Sequence, residues 1–110
     1  MDTQELKQRI DRIEECADDA KRAVQSGSVP QPLREAVDAL HQQARQAKQG
    51  QGGSEPALRD AVMQLENTAD RAMQACRQAG NVDAQVQQAV QRAHDEVSRL
   101  KKQLQAGSPA

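Results

Sequence analysis

The chain contains no tryptophan, tyrosine or phenylalanine in 110 residues, so any core must be built from aliphatic side chains and alanine. Its two cysteines are too few for a disulfide scaffold, and unpaired thiols suit a reducing compartment. No run of about 18 apolar residues is present to span a bilayer, and the polar opening Met1-Asp2-Thr3-Gln4-Glu5 lacks the apolar stretch of a secretory leader. A net charge of -1 with acids and bases interspersed removes the basic face of a general nucleic-acid binder and the cluster of a polybasic membrane anchor. The expectation is one cytoplasmic domain with no nucleic-acid partner, no membrane partner and no cofactor.

What the chain does have is helical periodicity. Apolar positions recur at alternating spacings of four and three in four segments. The first runs Leu6, Ile10, Ile13, Ala17, Ala20, Val24, and the second Leu33, Val37, Leu40, Ala44, Ala47. The third runs Leu58, Val62, Leu65, Ala69, Ala72, Cys76, Ala79, and the fourth Val86, Val90, Ala93, Val97, Leu100, Leu104. This is the seam of coiled-coil-like packing, and no segment alternates with the period of a strand. Asp2 or Thr3 can cap the first helix and Gly27 ends it. Pro30 and Pro32 suit the opening of the second, Ser54 with Pro56 that of the third, and Gly80-Asn81 reads as a stop followed by a cap. The hairpins are expected over about 3–49 and 54–106, joined by a Gly-rich link at 49–54 and followed by a frayed tail at 107–110.

The two halves repeat one another. Residues 6–26 align with 58–78 at an offset of 52, matching Glu14 with Glu66, Asp18 with Asp70 and Ala17 with Ala69. Past the first turn the offset becomes 53 and pairs Leu33 with Val86, His41 with His94 and Lys48 with Lys101. Both histidines of the chain therefore fall in register. Two hairpins with exposed apolar stripes must bury them, and each other is the nearest partner. The fold class is all-α: an antiparallel four-helix bundle of two tandem, internally duplicated helical hairpins. With only fifteen large aliphatics on the stripes, the bundle gains from self-association, and the link permits hairpin exchange between chains.

With the first residue of each stripe at heptad position d, His41, His94, Glu14 and Glu66 all fall at e, beside the core. In antiparallel neighbours e faces e, so each histidine is expected to meet a glutamate. Counting from a turn midpoint near 28.5 puts His41 level with Cys16 and roughly 3 Å along the axis from Glu14. The expected mid-bundle layer gathers Cys16, His41, Thr68 and His94, with Glu14 and Glu66 close by. Cys76 takes a core position matching Val24. Cys16 lies roughly 12 Å from it in height, beyond the ~7 Å reach of a disulfide.

Three functions compete. The reading adopted is a small non-enzymatic bundle that acts through protein–protein interaction or self-association, its histidine–glutamate pairs fixing register. A metal-binding bundle would use His41 and His94. The third is a phosphoryl carrier: the chain resembles a histidine phosphotransfer domain in size, architecture and the place of a histidine on the second helix. That resemblance implies His41 as the phosphorylated residue. The family's lysine and glycine three and four positions after the histidine are here Ala44 and Arg45, which leaves the approach of a receiver domain unaccounted for. No Gly-rich phosphate loop, nucleophile elbow, Cys-x-x-Cys or His-Glu-x-x-His is present.

Overall fold

The computed structural model describes residues 3–27, 29–49, 55–80 and 82–106. They form four helices, α1 (Thr3–Ser26), α2 (Gln31–Gln49), α3 (Glu55–Ala79) and α4 (Ala84–Ala106). Each packs on its neighbours in a closed ring, α1 on α2, α2 on α3, α3 on α4 and α4 on α1, and α1 also touches α3 across the diagonal. The chain is thus a four-helix bundle of two successive hairpins, without a strand among the described residues.

Every stripe residue is buried except Ala79, which is half-buried. The core divides in two. Leu6, Ile10 and Ile13 of α1 meet Leu40 and Ala44 of α2, Leu58 to Leu65 of α3 and Val97 to Leu104 of α4 in one cluster. Val24, Leu33, Val37, Cys76, Val86 and Val90 form the other, beside the turns. The division falls at a waist where α1 and α3 present only alanine, Ala17 and Ala20 on one and Ala69 and Ala72 on the other. Small side chains there let the two helices meet across the diagonal. Bulky residues of all four helices, among them Ile13, Leu40, Leu65 and Leu100, share the first cluster.

Helix ends follow the chemistry of the backbone. The carbonyl of Pro30 accepts from the amide of Arg34 at 3.1 Å, so Pro32 lies in a first turn whose amides need no helical partner. Gly80 ends α3 with φ of 75°, the left-handed conformation that a glycine adopts without penalty. Gly27 follows α1 without a positive φ, so it marks that end but is not required by it. One cap is corrected: α4 begins at Ala84 directly after Asp83, whose carbonyl accepts from Gln87 at 3.0 Å. Asn81, the expected cap, lies outside the described residues, as do Asp2, Ser54, the link 50–54 and the tail 107–110. No helix among the described residues is long and apolar enough to cross a membrane.

Candidate functional site

The waist carries the histidines, one on each hairpin's internal seam. His41 follows the core residue Leu40 and turns toward α1, its side chain only 8% exposed, with Nε2 3.4 Å from Asp18 Oδ1. Asp18 also holds the Arg22 guanidinium at 2.9 Å, one turn along its own helix. His94 repeats the arrangement on α4, Nε2 lying 2.7 Å from Asp70 Oδ1 on α3. Because a carboxylate can only accept, the 2.7 Å contact has His94 Nε2 donating to Asp70 Oδ1. Nδ1 of His94 is buried without a hydrogen-bond partner, and Asp95 Oδ1 is 3.9 Å away.

The expected histidine–glutamate pairing is therefore corrected to histidine–aspartate, duplicated across the two hairpins. Asp18 and Asp70 stand one turn beyond Glu14 and Glu66, at heptad position b. The e side chain of one helix reaches outward to b of its neighbour, and Lys21 with Asp38 does the same at 3.5 Å. Glu66 does face an e position, but that of Lys101, whose Nζ is 2.7 Å from its Oε1. Glu14 is half-buried and joins neither histidine.

Along the α3–α4 seam Lys101 pairs with Glu66 and His94 with Asp70, so the two carboxylates stand next to one another between the two basic side chains. Burial works to raise the Asp70 carboxyl. The hydrogen bond from His94 and the positive charges of His94 and Lys101 outweigh it and hold Asp70 below the usual aspartate value.

Cys16 does not join the histidines. It turns toward α4, buried at 8% exposure. Its thiol is pushed up by burial and by the negative charge of Glu96, with Arg92 opposing and Asp19 and Glu15 adding to the rise. Cys76 lies in the turn-side cluster, as its core position implied, and burial raises its thiol also. The two cysteines belong to different core clusters and both are free. Thr68 is buried on the α2–α3 seam, 2.7 Å from Gln43 Oε1 and 3.1 Å from the Gln64 carbonyl. Its single hydroxyl proton serves one acceptor at a time.

The expected single layer is thus distributed over four seams. His41 and His94 lie on opposite ones, and no group of three or more His, Cys, Asp or Glu converges for a metal among the described residues. The surface depressions include open grooves over the seams, such as the one of about 390 Å³ lined by Asp19, Arg22, Gln85, Gln88 and Arg92 between α1 and α4. Comparison with family models, curated proteins and solved structures yields no match to this chain.

The residues that the heptad reading left without a role are Asp18, Asp70, Gln43, Lys101, Arg9 and Glu96. Arg9 Nη1 is 2.5 Å from Gln103 Oε1, and its Nη2 is 3.9 Å from Glu96 Oε2 across the α1–α4 seam. A signal for three of them was present, since Asp18 with Asp70 and Lys48 with Lys101 repeat in register as faithfully as the glutamates do.

Proposed function

We propose that this chain is a non-enzymatic helical-bundle protein that works by binding protein, either another chain or a second copy of itself. The observation that carries the reading is the use made of the reactive side chains. Each histidine is tied to an aspartate across a hairpin seam, and each thiol is buried with its acidity suppressed. These groups specify how helices pair, and what faces outward is a polar surface rich in glutamine and paired charge. The two free thiols fit a cytoplasmic setting.

The phosphocarrier alternative requires an imidazole open to a donor, whereas Nε2 of His41 is directed at Asp18 in a side chain 8% exposed. The metal alternative requires His41 and His94 to converge, and they occupy opposite seams. Sedimentation velocity across a wide concentration range, combined with affinity capture of the tagged full chain and cross-linking to locate the contact, tests the binding reading. A concentration-dependent species, or a stoichiometric partner cross-linked to an outer helix face, is expected. A chain that stays monomeric at every concentration and forms no stoichiometric complex overturns it.

A further inference from the structure

The two seams between the hairpins are related by the duplication, yet their g positions differ in charge. Position g of every heptad lies on these seams. Across α1–α4 the g residues are Arg9 with Gln103, Cys16 with Glu96, and Ala23 with Ala89; the last two line one groove. The offsets of 52 and 53 convert the last two pairs into Thr68 with Gln43 and Ala75 with Ala36 on α2–α3, and place Ala61 where Arg9 stands. Thr68 bonds Gln43, and Ala36 and Ala75 line a common groove, as the equivalence requires. The alanine level is identical on both seams. The polar levels differ in charge: Arg9 and Glu96 on one seam, side chains 23% and 13% exposed, answer to Ala61 and Gln43 on the other.

Homotypic pairing would break this match. A hairpin of α1 and α2 facing its own copy sets Cys16 against Gln43 in place of Glu96, leaving Arg9, a largely buried cation, with no acid at g across the seam. A hairpin of α3 and α4 facing its copy sets Glu96 against Thr68, with no cation at g across the seam and only Arg99 of its own helix, 3.9 Å away, still beside it. A largely buried charge without its partner across the seam disfavours both arrangements.

We propose that Arg9 and Glu96 are an address that pairs the first hairpin with the second, within one chain or from a second copy, and rejects a hairpin's own duplicate. Self-association of this chain is then a reciprocal exchange of hairpins, in which both bundles keep the Arg9–Glu96 match. The inference rests on the self-association arm of the binding reading and names its partner as a second copy of this chain.

The test uses full-length chains refolded from denaturant at high concentration. Arg9→Glu alone and Glu96→Arg alone each place like charges across the seam, and each is expected to lower the melting temperature by roughly 5–10 °C. The double variant, matched again within one chain, recovers most of that loss as a monomer. A mixture of the two single variants yields a 1:1 dimer, because exchange sets the acid introduced at position 9 against the arginine introduced at position 96 and restores the native pair in the other bundle. A double variant no more stable than the singles overturns the proposal, as does a mixture that melts as the sum of its parts with no dimer. Should a single reversal fail to fold, the milder pair Arg9→Gln and Glu96→Gln supplies the same comparison: non-additive losses support the address, and additive losses overturn it. Failure of this test leaves binding to a different protein on the outer faces unaffected.

Discussion

At residue scale the two histidines share a partner type but differ in surroundings. His41 is almost wholly removed from solvent and its contact with Asp18 is the longer one, whereas His94 keeps more exposure and a closer contact with Asp70. His41→Ala should therefore cost roughly 1–3 kcal/mol, the usual range for truncating a buried side chain, and more than His94→Ala, as denaturant melts of both variants would report. Asp70 gives a pH dependence of definite sign. A carboxyl held below its unfolded value stabilises the fold at pH above that unfolded value, and the contribution fades as pH falls through the folded one. Wild-type protein should lose more stability than Asp70→Asn between about pH 5 and pH 2. The effect is modest because half of the Asp70 side chain meets solvent. Equal acid sensitivity of the two proteins would remove the His94–Asp70 pair from the account. The thiols offer a third check: alkylation of native Cys16 and Cys76 at neutral pH should run at least roughly tenfold slower than in denaturant, since burial disfavours the thiolate in both.

At the scale of the helices, the stripes were fully legible because burial follows a period that composition cannot disguise. Apart from Ala79, the stripe residues from Leu6 to Leu104 occupy the interior that the four-three spacing assigns, even where the residue is alanine. Partner choice across a seam was not legible. From a midpoint near 28.5, Glu14 and Asp18 are equally distant from His41 along the axis, and the rule that e faces e decided for Glu14. An imidazole or an ammonium at e extends past the seam, so it meets b on the next helix, as His41, His94 and Lys21 all do. Lys101 keeps the e–e contact with Glu66, which shows how little separates the two choices. The glycines that end α1 and α3 also looked alike in sequence. Only Gly80 adopts a positive φ among the described residues, so Gly80→Ala should cost about 1–2 kcal/mol. Gly27→Ala should stay within about 0.5 kcal/mol, because an added methyl there meets ordinary contact distances of 3.4 and 3.8 Å. Comparable losses for both would show that α1 ends on strained backbone too.

At the scale of the whole molecule, duplication gives a bundle whose internal seams are alike and whose external seams have diverged. The e and b positions tie α1 to α2 and α3 to α4, each with a histidine and an aspartate at the waist. The g positions tie one hairpin to the other, with charge on one side and neutral groups on the opposite one. The sequence repeat foretold this symmetry, while the charge difference between Glu96 and Gln43 becomes meaningful only once both are seen to occupy equivalent places. The central claim is that the two histidines are one structural device used twice, on separate seams, and not a shared reactive layer. Thermodynamic coupling measured by double-mutant cycles tests it most directly. The account predicts coupling of about 0.5–1.5 kcal/mol within Asp18–His41 and within Asp70–His94, with additive behaviour between His41 and His94 and none of comparable size between His41 and Glu14. Strong coupling between the two histidines, or between His41 and Glu14 in place of Asp18, would contradict it.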